Sequence, residues 1–452
     1  MRRISTLFLI VLAMAGCAGP KRMAPIVMES PRPDGPQAAV PEFLGVGLAE
    51  NKTRLDLSAT GAAELVTAED GRLLLSLGAA DVSIKCEPDG GMVHWSGGGK
   101  EGRETAVVLR TLDPESRLRH ADQQYPDQEY RGELLVISAP IGGGLTLVNN
   151  VDLESYLKGV VPWEIGRHPA EKQAAVQAQA IAARTYTVSH WGARRQRGFD
   201  VFASVMDQVY RGSKDEEALC NEAVDSTAGL VLVSNGEEVE AYYSACCGGS
   251  SSNIEEVWAR GPRPYLQSEA DGPDKSGRSF CGESRYYNWS EQWTGGQLKE
   301  ILNETLPAYV DWVAASPARA KWAGAIFSPR DGTSDAGRPG AIWNIEILSH
   351  TSSGRVANLA ISTDAGVYHV RADRTRWVLK PVSGNPFILR SAQFSLDVVQ
   401  EDGRISSIVV RGQGFGHGIG LCQTGALARA SQGQSFQEIL AHYYPGAVLT
   451  RR

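Results

Sequence analysis

The sequence predicts an α+β fold in which β-rich parts flank a helical segment. Three observations carry that expectation. Short apolar runs bounded by Gly, Asp or Pro fill residues 43–150, the pattern of strands. Helix signals crowd into residues 151–300. Strand-like alternation then returns over residues 341–449, which close on a capped helix. At ~150 residues per domain the 452 residues would make about three domains. A hydrophobic share of 42% with 21% charged residues excludes wholesale disorder. The net charge of -7 argues against nucleic acid as a partner, because no excess of cations is available to meet phosphates.

The chain opens Met1-Arg2-Arg3 and runs apolar over residues 7–15. A basic start before a short apolar stretch reads as a secretory signal, too short to span a bilayer. It ends Leu12-Ala13-Met14-Ala15-Gly16-Cys17, similar to a bacterial lipobox. Residues 1–17 are therefore expected to be a lipoprotein signal, with Cys17 lipidated; the rival is an ordinary cleaved signal with an incidental cysteine. Residues 18–42 carry Pro20, Pro25, Pro31, Pro33, Pro36 and Pro41 and read as an extended tether. The expected location is the cell envelope, lipid-anchored on the periplasmic side, and Ala18 permits an outer-membrane destination.

Within residues 43–449, strands are expected at 73–77, 105–109 and 134–137. Asp152 suits the N-cap of a helix over 153–158, with Glu154 and Lys158 spaced for an i,i+4 pair. His168-Pro169 opens a longer helix, with Glu171 in its first turn. Ala174, Ala178, Ile181, Ala182 and Tyr186 share one face of it. Strands return at 230–233, 342–347 and 405–410, and residues 272–282 read as a long loop. Ser435-Phe436-Gln437-Glu438 is a capping box before Ile439, Leu440 and Tyr443, and Pro445-Gly446 stops that helix. No internal repeat or coiled coil is evident.

Of seven cysteines, lipidation of Cys17 leaves Cys86, Cys220, Cys246, Cys247, Cys281 and Cys422. In an exported protein these permit disulfides. Adjacent Cys246 and Cys247 do not suit each other in an unstrained backbone, so one of them with Cys281 is a natural pair. The rival is a zinc site among Cys220, Cys246, Cys247, Cys281 and a histidine; no C-x-x-C pair supports it, and the reading adopted has no metal and no cofactor.

Glu164 follows Val160-Val161-Pro162-Trp163. Burial in such surroundings would raise its pKa, which a general acid requires. Its bland alternatives are a helix cap or a partner for Arg167 or Arg184. In the Ala-rich stretch from Gln177 to Tyr186, the side chains of Gln177, Arg184 and Tyr186 either face a polar ligand or tie loops to the helix. Ser244 invites a nucleophile reading, but no Gly-x-Ser-x-Gly elbow surrounds it. Glycine at every second position from Gly412 to Gly420 makes a tight loop, without the spacing of dinucleotide binding or a Walker lysine. His417 stands accessible within it, a candidate for sugar or metal. Trp163 is a candidate for stacking on a ligand face or for the core.

Together these segments resemble the SpoIID/LytB family. The resemblance rests on Leu153-Glu154-x-Tyr156-Leu157-x-Gly159-Val160-Val161-Pro162-x-Glu164, on Ala178-Gln179-Ala180-Ile181-Ala182-Ala183-Arg184-Thr185-Tyr186, and on Gly414-x-Gly416-His417-Gly418-Ile419-Gly420-x-x-Gln423-x-Gly425-Ala426. Gly354-Arg355-Val356, Leu389-Arg390-Ser391 and Ile439-Leu440-x-His442-Tyr443-Tyr444-Pro445-Gly446 agree, in order, over roughly residues 43–449. Cys422 and Thr424 stand where Ser and Tyr are common, and Cys246-Cys247 replaces a Ser/Thr-rich stretch. The resemblance implies a peptidoglycan lytic transglycosylase acting on MurNAc–GlcNAc strands stripped of stem peptides, with Glu164 as the catalytic acid. Arg184, Tyr186, Gln177, Ser244, His417 and Gln423 would then bind or orient the sugar. The LytB branch implies the alternative, a wall-binding lipoprotein that enhances an N-acetylmuramoyl-L-alanine amidase.

Overall fold

The computed structural model describes residues 43–78, 83–121, 128–330, 339–384 and 387–452. The expected signal and tether, Cys17 included, lie outside the described residues. Helices and several sheets coexist, so the α+β expectation holds. Period-two burial, as in Leu55–Ala59 and Met92–Gly97, gives each strand one face for a core. A seven-stranded sheet runs in the order Val201–Phe202, Leu44–Lys52, Leu145–Val151, Glu133–Ser138, Ala106–Thr111, Ala63–Thr67, Leu73–Leu77. A six-stranded sheet runs Glu129–Tyr130, Leu118–His120, Leu55–Ala59, Ile84–Asp89, Met92–Gly97, Lys100–Glu104. Their buried residues join one core.

The helices are α1 (Leu153–Glu164), α2 (Gln173–Ser189), α3 (Ala218–Ser226), α4 (Ile254–Val257), α5 (Gly295–Ala314), α6 (Pro317–Ala323), α7 (Arg374–Val378), α8 (Gln423–Ser431) and α9 (Phe436–Tyr443). Asp152 caps α1 as expected, accepting from the Ser155 N–H at 2.9 Å. Pro162 lacks an N–H for the ladder and crowds the carbonyl four residues back, so α1 ends two residues later, at Glu164. The 178–187 stretch of α2 is buried on every side. Its alanines let α1, α3, α8, α9 and the Leu230–Ser234 strand pack close around it.

Three local expectations are corrected. Glu154 and Lys158 do not pair with each other: Glu154 meets Arg184 at 2.6 Å and Lys158 meets Asp225 at 2.8 Å, because a buried guanidinium and a neighbouring carboxylate outcompete a surface i,i+4 pair. Pro169 caps a single 3₁₀ turn, Ala170–Lys172, and α2 proper starts at Gln173. The 20-residue α5, with a complete Thr294/Gln297 capping box, has no counterpart in the sequence reading.

Packing also divides the chain differently from composition. A second core gathers Trp289, Trp293, the apolar face of α5 and the strands between Ile342 and Val410. Residues from Ile419 to Leu449 return to the first core, where Val448–Arg451 pairs with Leu230–Ser234. The 341–449 part is thus split between two cores, because strand alternation looks the same whichever core it faces.

Gly159 in α1 tests this packing. A Cβ there would sit 2.5 Å from the Gly212 carbonyl and 2.6 Å from the Tyr210 ring. Alanine is the better helix former by about 1 kcal/mol. Gly159→Ala should nevertheless destabilise the fold, by roughly 1–3 kcal/mol of overpacking, and thermal denaturation will show a fall in Tm rather than a rise.

Candidate active site

Glu164, the last residue of α1, is half-buried in a crowded recess. Its Oε1 accepts the Val209 N–H at 2.7 Å. The Gln423 amide also hydrogen-bonds the carboxyl. Burial pushes the carboxyl up to about 7; the Val209 and Gln423 hydrogen bonds pull the other way and lose. The position at a helix C-terminus, with no basic residue in the last turn, also disfavours the anion. Neither alternative partner takes it: Arg167 meets Asp215 at 3.7 Å, and Arg184 turns to Glu154.

Two elements reach this carboxyl, and a third backs one of them. Gln423 opens α8 and is itself buried, and its Nε2 reaches Gln179 Oε1 on α2 at 3.4 Å. Val209 belongs to the loop after the Val201–Phe202 strand, and that loop is held by its neighbour Gln208. Gln208 is fully buried: its Oε1 accepts from Tyr156 at 3.1 Å and Thr187 at 2.7 Å, and its Nε2 donates to Tyr243 at 2.9 Å and the Ala183 carbonyl at 3.3 Å. A cleft of 410 Å³ adjoins the loop, lined in part by Ser204, Tyr210 and Arg211; Glu164 does not line it.

The sequence-predicted residues divide. Gln423 meets Glu164. Tyr186 donates to Asp207 at 3.1 Å, two residues from Val209, and stacks on His190 at 4.0 Å. Tyr242 lies edge-on to that pair and 6.2 Å from the His417 ring, so one aromatic cluster links Tyr186 to His417. His417 takes the Ile419 N–H on Nδ1 at 3.0 Å, and burial pushes its pKa down to about 4, leaving it neutral at pH 7. Ser244 is buried beside Gly416, its Oγ has no hydrogen-bond partner among the described residues, and its register partner is Cys422. Trp163 is 45% exposed and so is not core.

Two candidates fall elsewhere. Arg184 is 1% exposed and grips Glu154 with two hydrogen bonds of 2.8 and 2.6 Å, with the Val224 and Leu230 carbonyls at 3.2 Å. It ties α1, α2, α3 and a strand together near the start of α1, about 15 Å of helix from Glu164. Gln177 donates to Ser226 at 3.1 Å and joins α2 to α3. Gln179, two positions on, points to a nearly opposite side of the helix and holds the place expected of Gln177. Gln179, Gln208 and Tyr243 were not singled out, since nothing local separates them from other buried polar residues.

The fold and this recess define a protein that presents one protonatable carboxyl group, framed by amide and phenol groups, at the junction of α1, α2 and α8. The family described as stage II sporulation protein matches residues 142–233, a stretch that includes Glu164 and Gln179, so this part of the chain is similar to that family. A domain of unknown function matches residues 325–420. The chain is 30% identical to the amidase enhancer of Bacillus subtilis over 65% of its own length, and spans 40% of that relative. It is 27% identical to the stage II sporulation protein D of Bacillus subtilis, over 67% of this chain and 76% of the relative. An uncharacterized protein of Brachyspira hyodysenteriae is 28% identical over 70% of this chain and 71% of its own.

Arg184 provides a direct check on the division between scaffold and site. Arg184→Met would strand the Glu154 carboxylate and cost roughly 3 kcal/mol of stability by denaturant unfolding. Binding of the remaining folded fraction to isolated cell-wall sacculi should be unchanged; a selective loss of binding would return Arg184 to the site.

Proposed function

We propose that the protein remodels the cell wall as a peptidoglycan lytic transglycosylase, cleaving MurNAc–GlcNAc strands to 1,6-anhydro products. The observation that carries the reading is the Glu164 carboxyl group, raised to about 7 by burial and held by Val209 and Gln423. An acid of that pKa is protonated in part at neutral pH and gives a carboxylate that can take a proton back. Protonated Glu164 donates to the glycosidic oxygen as the bond from C1 breaks. The C6 hydroxyl of the same muramic acid residue then attacks C1, and the Glu164 carboxylate removes its proton. One C–O bond breaks, one forms, the acid is regenerated and no water is consumed. One carboxyl group suffices where an ordinary glycosidase uses two. In this scheme exposed Trp163, next in sequence to Glu164, offers a face for a sugar ring, and Gln423 with Gln179 supplies hydrogen bonds to the acid and to the sugar.

The relative named amidase enhancer supports a second reading, a wall-binding lipoprotein that stimulates an N-acetylmuramoyl-L-alanine amidase without cutting glycan. The soluble domain, incubated with intact and with peptide-stripped peptidoglycan, decides between them by mass spectrometry. Anhydro products that fall by 10² to 10⁴ in rate in Glu164→Gln support the lyase. Uncut glycan with retained binding rejects it.

The pH dependence has a definite sign. kcat/KM should fall as pH rises through about 7, because the acid is then lost. The raised pKa also stabilises the fold below the ordinary value of 4.5, a contribution lost as pH rises through about 7. Glu164→Gln should therefore match the wild-type Tm at pH 4 and exceed it at pH 8. For the anchor, fatty-acid labelling in cells should mark the chain, and Cys17→Ala should abolish both the label and the membrane fraction; retained label would reject Cys17 as the lipid site.

A further inference from the structure

Three cysteines far apart in sequence, Cys247, Cys281 and Cys422, meet in one buried cluster beside Asp271, with Cys246 next in the chain, and none of the four is more than 1% exposed. The ligand atoms of Cys247, Asp271, Cys281 and Cys422 all lie within 4.8 Å of one another. Cys247 Sγ and Cys281 Sγ are 3.6 Å apart. Tetrahedral zinc with bonds of about 2.3 Å to sulfur sets its sulfur atoms about 3.8 Å apart. We propose that Cys247, Cys281, Cys422 and Asp271 form a structural zinc site, which departs from the metal-free expectation.

The surroundings suit that ion. Asp271 Oδ1 is held by the Tyr443 hydroxyl at 2.8 Å and Arg429 at 3.2 Å, while Oδ2 faces Cys247 Sγ at 3.5 Å. One carboxylate oxygen oriented by neighbours and the other turned to the cluster is the usual outer support of a metal ligand. Three thiolates and a carboxylate around a divalent ion carry a net charge of about −2. Two buried guanidinium groups adjoin it, Arg429 on Asp271 and Arg355, whose Nη2 donates to the Cys247 carbonyl at 2.6 Å. Arg355 hydrogen-bonds no carboxylate among the described residues. The sulfurs of both Cys247 and Cys422 lie within 4.8 Å of Cys281 Sγ. Convergence of several sulfurs on one is the arrangement of a ligand set, whereas a disulfide joins a single pair at about 2.05 Å.

The site has a structural purpose. It would fasten the 272–282 loop, which has no helix or strand of its own, to the strand before Cys246 and to the start of α8. Cys422 Sγ already accepts the Gly425 N–H at 3.4 Å as the cap of α8, and the next residue is Gln423. An ion on Cys422 would therefore position Gln423 against Glu164 from outside the site. Cys220 and Cys86 do not join the cluster.

Full-length protein purified without chelator or reductant should carry one zinc per chain by elemental analysis and native mass spectrometry, released by a mercurial that titrates thiols. Chelation followed by cobalt(II) should give the intense visible bands of tetrahedral thiolate coordination. Cys281→Ser and Cys422→Ser should lose the metal. Cys246→Ser, Cys220→Ser and Glu164→Gln should keep it, the last because metal binding is independent of the catalytic reading. A chain lighter by two hydrogens per bond, with no zinc and no cobalt uptake after reduction, would overturn the site in favour of disulfides. Reduced thiols that take up neither ion would overturn it as well. Zinc retained by Asp271→Asn but lost in Cys246→Ser would overturn the assigned fourth ligand.

Discussion

The arrangement around the acid depends on one buried amide. Gln208 meets two donors and two acceptors, and its four hydrogen-bonding positions are filled from three elements of the fold. Tyr156 lies on α1, Thr187 and Ala183 on α2, and Tyr243 on the short strand beside α8. A buried amide left unpaired is costly, so these elements can settle only where all four bonds are made. That requirement, met from three elements of the fold, fixes the backbone of the following residue, and Val209 thereby presents its N–H to Glu164 at 2.7 Å.

A second constraint is steric. Gly414, Gly416, Gly418 and Gly420 all have positive φ, which side chains rarely adopt. The alternation turns the loop so that it passes the Cys246 carbonyl, the Ser244 side chain, the Arg355 guanidinium and the Tyr242 carbonyl in succession. The loop then enters α8 with Gln423 at its first position. The glycine pattern therefore serves close backbone approach, and the residue that reaches the acid comes just after it.

Much of the fold was legible along the chain. The strands at 73–77, 134–137 and 230–233, the Asp152 cap and the Ser435 capping box follow from periodicity and hydrogen-bonding chemistry that act over a few residues. Glu164 was legible too, because Pro162 ends the helix and an apolar run precedes it. The site around it was legible only in part. Gln423 lies beside Glu164 and Tyr186 bonds Asp207 two residues from Val209, whereas Arg184 is a buried tie and Gln177 joins α2 to α3. A motif marks a stretch as special without saying which face of its helix does the work.

The sequence by itself determined the class of fold, the ends of the principal helices and the carboxyl group that stands out, since these depend on local spacing. Tertiary structure alone decided the protonation of that carboxyl group, the choice of Gln179 over Gln177 and the meeting of Cys247, Asp271, Cys281 and Cys422. Desolvation and ligand convergence are properties of groups brought together through space, and Cys247 is separated from Cys422 by 175 positions along the chain.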